Sequence, residues 1–262
     1  MPYTRDIHYE VIESATGKDA RGTVIFHHGI GASAGVWDGW FSQLLDRYRI
    51  VRFEMRGYGR SKLPASDYKW TLDGFVDDLL AVADAAGVER AHLVGESIGG
   101  TIVLRAALRN PQRVETLTVS NGADVGAPLQ KVHAWREQID QRGIKAWSDQ
   151  FMRDRFYDDA LTQEQWTSYA AAQEAWNRDA ILNALSVLVG TDLRGDLPAI
   201  RRPVLLLHGD SSPFIPVRVM VEMHERLKNS RLQVFAHAKH GLPYSHAAEC
   251  SALLRRFLDG KL

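Results

Sequence analysis

The chain predicts an α/β architecture, a mostly parallel sheet with flanking helices and a late all-helical insertion. Three observations carry that prediction. Short apolar runs alternate with longer stretches of helical periodicity, the pattern of strand–helix–strand crossovers. From about Asn121 to Leu193 the strand signal stops, apolar residues keep helical spacing, and four of the seven tryptophans occur (Trp135, Trp147, Trp166, Trp176). Strand runs then resume at Pro203–His208. An insertion between two strands of a parallel sheet lies over the strand ends, where ligands bind in such folds.

Taken in order, Ile7–Ser14 alternates weakly before a turn signal at Thr16–Asp19, so it reads as an edge strand. Thr23–His27 is a short apolar run stopped at Gly29, consistent with a strand buried on both faces. After the loop His28–Ser33 comes an amphipathic helix from about Val36 to Arg47, then a strand at Tyr48–Phe53. Leu72–Ala86 places Leu72, Phe75, Val76, Leu79, Leu80, Val82 and Ala83 at helical spacing and stops at Gly87. Ala91–Val94 is a strand, Ile98–Leu108 a helix and Val114–Val119 a strand. Beyond the insertion, Val217–Leu227 reads as a helix, Leu232–Phe235 as the last strand and Ser245–Leu258 as the last helix.

Composition narrows the function classes. With 262 residues, 45% hydrophobic and 24% charged, the chain can bury a sizeable core in one large domain or two small ones. The 32 basic and 32 acidic residues balance, so nothing suggests nucleic acid or an anionic membrane as a partner. The single cysteine, Cys250, excludes an intrachain disulfide and a multi-cysteine metal site. No apolar run approaches the roughly 18 residues of a spanning helix, and Met1–Asp6 lacks an apolar leader core. The expectation is a soluble cytoplasmic protein acting on a small-molecule substrate, with self-association left open. No ligand cluster or phosphate loop is present, so neither metal nor cofactor is expected.

Chemistry concentrates at Gly95-Glu96-Ser97-Ile98-Gly99, a G-x-S-x-G pattern set between a strand and a helix. A strand that reverses sharply into a helix strains its turn residue and projects it, and the flanking glycines let the backbone segments approach. Ser97 would then stand at a helix N-terminus, where negative charge is favoured. A serine hydroxyl is a weak nucleophile and needs a base and an oxyanion site. Among ten histidines, His240 sits in the loop between the last strand and the last helix, on the same side of the sheet as Ser97, with His237 and His246 as competitors. For the oxyanion, the Ile98 N–H adjoins the serine, and the glycine loop His28-Gly29-Ile30-Gly31 can bring in the Ile30 N–H.

These pieces, together with Arg56-Gly57-Tyr58-Gly59-Arg60-Ser61 and the tract from Asp192 to Leu205, resemble the α/β-hydrolase superfamily over nearly the whole length. Within it the layout is most similar to the 3-oxoadipate enol-lactonase and small-esterase group, through Ser120-Asn121-Gly122-Ala123 and the rhythm that follows. The resemblance implies an α/β-hydrolase core at residues 1–121 and 194–262 and a helical cap at 122–193. It also implies a hydrolase that cleaves a small ester or enol-lactone through Ser97 and His240, without cofactor. Cleavage of a C–C bond or an amide on the same framework is an alternative, as is a weakly active or ligand-binding member of the fold.

One departure matters. The resemblance implies an acid partner for the base either in the segment Gly209–Pro216 or at the end of the strand after the nucleophile helix. Ser212 and Asn121 occupy those two places. Asp124, three residues beyond Asn121, ranks first as the substitute; Asp210 could serve if its loop is displaced, and Asn121 or Ser212 could orient a neutral imidazole by hydrogen bonding alone. In the cap, Trp135 and Trp176 are candidate substrate-binding residues, beside Arg136 and Arg178, with amphipathic packing as the plainer account of each tryptophan.

Overall fold

The structure is a computed structural model that describes residues 3–17, 20–127, 129 and 131–262. Lys18 and Asp19 of the expected turn, and Met1 and Pro2, lie outside the described residues. Eight strands form one sheet: Tyr3–Thr4 (β1), Ile7–Ile12 (β2), Thr23–His27 (β3), Arg49–Phe53 (β4), Ala91–Glu96 (β5), Val114–Ser120 (β6), Val204–Gly209 (β7) and Ser230–Phe235 (β8). Their order is β1-β2-β4-β3-β5-β6-β7-β8. The pairs β1–β2 and β2–β4 are antiparallel, and every pair from β4 to β8 is parallel. The fold is that of the α/β hydrolases, as the resemblance implied.

Both faces of the sheet are covered, and the period-two alternation of strand side chains sorts residues between them. Ile25, Leu93, Val204 and Leu206 enter one core with Leu72–Ala85 (α1), Ile98–Arg109 (α2) and Val217–Arg226 (α6). Val24, Phe26, Val94, Leu205 and Leu207 enter the other with Trp37, Trp40 and the last helix, Ala247–Leu258 (α8). Each such aliphatic or aromatic side chain contributes roughly 1.5–3 kcal/mol by leaving water. Cys250 is fully buried in this second core, and burial pushes its thiol well above the usual range, so it packs rather than reacts. Among the described residues no helix is long and apolar enough to cross a membrane.

One element differs from expectation. The helix expected from Val36 to Arg47 is a 3-10 helix over Ala34–Gln43. Gly35 and Gly39 weaken α-helix formation, while three residues per turn stack Trp37 and Trp40 on one side. A Cβ on Gly39 would lie 2.7 Å from that of Ala247, so this helix lies closely against α8. The last helix, expected over Ser245–Leu258, is α8, and a single turn, Leu242–Ser245 (α7), precedes it.

Between β6 and β7 the chain is helical: Trp135–Arg155 (α3), Gln163–Glu174 (α4) and Arg178–Val189 (α5). Gly143, at φ 81°, breaks α3 into two arms. Thr162 and Gln165 form a reciprocal capping box at the start of α4, and Asn177 caps α5. An isolated antiparallel bridge, Val125 to Asp192, closes the neck where the chain enters and leaves the insertion.

Candidate active site

Ser97 occupies the turn between β5 and α2 at φ 55°, ψ −121°. A non-glycine residue in this region costs on the order of 1–3 kcal/mol, and surrounding packing must hold it. The flanking glycines permit it: a Cβ on Gly95 would clash with the Gly99 carbonyl, and one on Gly99 with the His27 carbonyl. The Ser97 N–H donates to the Ser120 carbonyl at 2.9 Å, tying the turn to the end of β6. As the first residue of α2, Ile98 has an N–H without an intrahelical acceptor.

The glycine loop meets this turn directly. A Cβ on Gly29 would sit 2.8 Å from the Ser97 Cβ, and the Gly29 N–H donates to Glu96 Oε2 at 3.0 Å. The other Glu96 oxygen accepts from Arg155 at the end of α3, and both side chains are fully buried. Arg155 also lies over the rings of Phe151 and Tyr169, at 5.1 and 5.6 Å from their centroids. From α4, Gln173 Nε2 donates to the Gly31 carbonyl at 2.9 Å. His28 accepts from the Met55 N–H at Nε2 (3.0 Å), so its Nδ1 donates to the Gly29 carbonyl (2.9 Å). Burial lowers its pKa to about 4, so the ring is neutral and its approach to Glu54 is no ion pair.

Of the three candidate histidines, His240 comes to the serine. Ser97, His240, Ile30 and Trp135 line one narrow, largely apolar pocket, together with Leu129, Val132, Leu185, Leu188, Phe214 and Ile215. No hydrogen bond joins Ser97 Oγ to His240 among the described residues; such contacts are often long before substrate binds. His237 is exposed and stacks on Tyr157, and His246 bonds Ser245. Burial, then the charges of Arg155 and His208, holds His240 well below the usual imidazole range, so the ring is neutral near pH 7.

The partner at His240 Nδ1 is Ser212 Oγ, at 3.1 Å, and the Ser212 oxygen also accepts the Ile215 N–H at 3.4 Å. Ser212, and not the first-ranked Asp124, is thus the hydrogen-bond partner of the ring among the described residues. Thr101 Oγ1 donates to the Ala123 carbonyl at 2.6 Å, and the Leu193 N–H to the Asp124 carbonyl at 2.7 Å. These bonds tie the segment to α2 and to the neck of the insertion. The Asp124 carboxyl, whose pKa burial raises, has Arg226, Arg194 and Asp192 as its charged neighbours, and its Oδ2 has no partner. Asp210 accepts the N–H groups of His237 (3.1 Å) and Ala238 (3.2 Å) and so braces the histidine loop. Asn121, at φ 45°, accepts the Gly209 N–H at 3.0 Å and donates to the His240 carbonyl at 2.9 Å.

Trp176, the other tryptophan expected at the substrate, stands apart from Ser97. It packs beside Tyr58 and lines a separate cavity with Ser33, Asp38 and Tyr244, not the one at Ser97, because α5 starts beyond it and presents Leu185 and Leu188 to the serine instead. Arg178 pairs with Asp140 and Asp179 at the surface. Sequence reasoning missed Arg155, Gln173, Phe214 and the apolar wall from α5. The helical spacing of Ala184, Leu185 and Leu188 was a readable signal for that wall; Arg155 and Gln173 carried none.

A model of the family described as alpha/beta hydrolase fold matches residues 22–247. A protein of Caulobacter sp. (strain K31), described as "Putative carbamate hydrolase RutD", is 29% identical over 259 residues, covering 97% of this chain and 96% of that one. The 2-hydroxymuconate semialdehyde hydrolase of Pseudomonas sp. (strain CF600) is 26% identical over 250 residues, covering 88% and 84%. The enol-lactonase from Burkholderia xenovorans LB400 superposes with a TM-score of 0.88 at 21% identity, covering 97% of this chain and 96% of that one, a likeness of fold. The chain belongs to the α/β-hydrolase fold family, and its relatives place it among the hydrolases.

Proposed function

We propose that the protein is a serine hydrolase of small esters or enol-lactones. Residues 1–121 and 194–262 serve as its core and residues 122–193 as a cap over the reacting bond. The observation that carries this reading is the strained Ser97 sharing one apolar pocket with His240. In acylation the Ser97 oxygen attacks the substrate carbonyl and its proton passes to His240 Nε2. The oxyanion is held by the N–H groups of Ile30 and Ile98, and collapse expels the leaving group with that proton. Water, deprotonated by the same ring, then releases the acid. Ser212, rather than Asp124, is the partner of the ring in this scheme.

The cavity wall favours a small, uncharged acyl group. Leu129, Val132, Trp135, Leu185, Leu188, Phe214 and Ile215 offer no cation to a substrate carboxylate. A second reading, hydrolysis of a C–N or C–C bond on the same framework, is favoured by the carbamate and semialdehyde hydrolases among the relatives.

The test is titration with a fluorophosphonate probe followed by a panel of lactones, aryl esters, carbamates and ring-fission products. Stoichiometric labelling that maps to Ser97 and is lost in Ser97→Ala and His240→Ala is expected, with turnover of lactones or aryl esters. Absence of labelling over hours would instead mark the chain as a ligand-binding member of the fold.

A further inference from the structure

We propose that Ser212 is the positioning residue for His240 and that its two-way hydroxyl divides the ring between a productive and an unproductive tautomer, restricting turnover to carbonyls with good leaving groups. The inference rests on the proposed roles of Ser97 and His240. To take the Ser97 proton, His240 must have a bare Nε2, so its hydrogen must sit on Nδ1. A carboxylate beside Nδ1 enforces this, because it can only accept. A hydroxyl accepts or donates. When Ser212 Oγ accepts from Nδ1–H across 3.1 Å, Nε2 is free. When it donates to Nδ1, Nε2 carries the hydrogen and the ring is inert as a base.

The surroundings bias this choice only weakly. The Ile215 N–H reaches the Ser212 oxygen at 3.4 Å, a long contact that leaves acceptor capacity for Nδ1–H without demanding it. Phe214 stands edge-to-face on the ring, 4.9 Å between centroids, and fixes its plane but not its proton. The ionisable groups whose charge reaches His240 are Arg155 on α3 and His208 on β7, and Arg155 is itself paired with Glu96. Neither offers Nδ1 an anion.

The same arrangement shapes the chemistry. As the Ser97 oxygen bonds to the carbonyl carbon, the carbonyl π pair moves to oxygen and the ring becomes an imidazolium, with only the Ser212 dipole beside Nδ1–H. Aryl and enol esters reach this transition state earlier, with less proton transfer completed, than alkyl esters or amides. Deacylation by water needs the same imidazolium and gains nothing from the departed leaving group. The acyl-enzyme therefore accumulates on activated substrates.

The experiment is 15N NMR of the histidine-labelled full chain near pH 7, with His240→Gln used only to assign the signals, beside stopped-flow hydrolysis of an aryl ester. Expected for the parent protein are Nδ1 and Nε2 shifts between the two tautomer limits and a burst followed by slower turnover. Ser212→Asp should move the ring to the Nδ1–H form, raise deacylation by at least about tenfold and shift the acid limb of the rate profile to higher pH. Ser212→Ala should lose the tautomer response and slow both steps. A parent ring wholly in the Nδ1–H form overturns the proposal by itself, even if Ser212→Asp fails to fold. So does an unchanged rate in Ser212→Ala with Ser97 still labelled; loss of labelling in the parent would overturn the serine-hydrolase reading instead.

Discussion

The two sides of the candidate site are held by opposite means. On the serine side, Glu96 is fully buried between the Gly29 N–H and Arg155, so a complete ion pair ties β5, the glycine loop and α3 together. On the histidine side, Asn121 and Ser212 hold the loop and the ring through neutral hydrogen bonds, and the carboxylate of Asp210 is exposed and serves backbone N–H groups. The difference teaches where rigidity is needed. Ser97 is strained and must be clamped, whereas His240 would change charge in each turnover of the proposed mechanism and sits among dipoles.

Acidification sharpens the comparison by acting on both sides at once. His27 and His28 next to the serine have pKa values lowered to about 3 and about 4 by burial, and His208 beside His240 to about 4. Each is neutral in the fold and titrates near 6.5 when unfolded, so its contribution is fully present above pH 6.5 and is lost as pH falls toward 4. The loss is about 1.4 kcal/mol per pH unit for each ring across that window. Denaturant melts at pH 7, 6 and 5 should show a steepening decline. A flat profile would mean that the rings are hydrated or paired.

Breaking the clamp is the next largest effect. Arg155→Met leaves Glu96 buried and uncompensated, at a cost of about 3–5 kcal/mol, and frees the Gly29 loop. The double replacement Glu96→Gln with Arg155→Met removes both charges and should recover most of that stability by urea denaturation. If the double variant is no more stable than the single one, the pair matters through packing on Phe151 and Tyr169 rather than through charge.

The serine side was also the more legible one in the sequence. Its glycines and serine are consecutive, and the steric demand that links them is local, so the pattern fixed both the turn and its place between strand and helix. The loop carrying Ile30 followed for the same reason. The histidine side depends on which of several residues, far apart in the chain, meet at Nδ1. Asp124 and Ser212 cannot be ranked without the path after Asn121, which bonds from Thr101 and Leu193 decide. Arg155 reads as an ordinary charge on an amphipathic helix because its partner lies 59 residues earlier. Trp135 and Trp176 differ only in which cavity the turns around them face. Composition and spacing specify elements; side-chain direction across the insertion is set by packing.

The smallest expected effects test whether the neutral reading of the histidine side is right. Asp210→Asn keeps an oxygen that can accept one of the two N–H groups of His237 and Ala238, so the loop should loosen slightly and kcat on an aryl ester should fall by no more than about threefold. Asp124→Asn should leave kcat unchanged within about twofold, because its carboxyl lies with Arg194 and Arg226 and not against the ring. It should also not lower stability, since Asp124 Oδ2 has no partner to lose. A fall on the order of 10⁴ in either variant is the size expected when a base loses its acid. Such a fall in one of them would transfer the role to that carboxylate and require the loop to move on substrate binding. Small effects in both, with a large gain in Ser212→Asp, are the outcome consistent with a base held by dipoles alone.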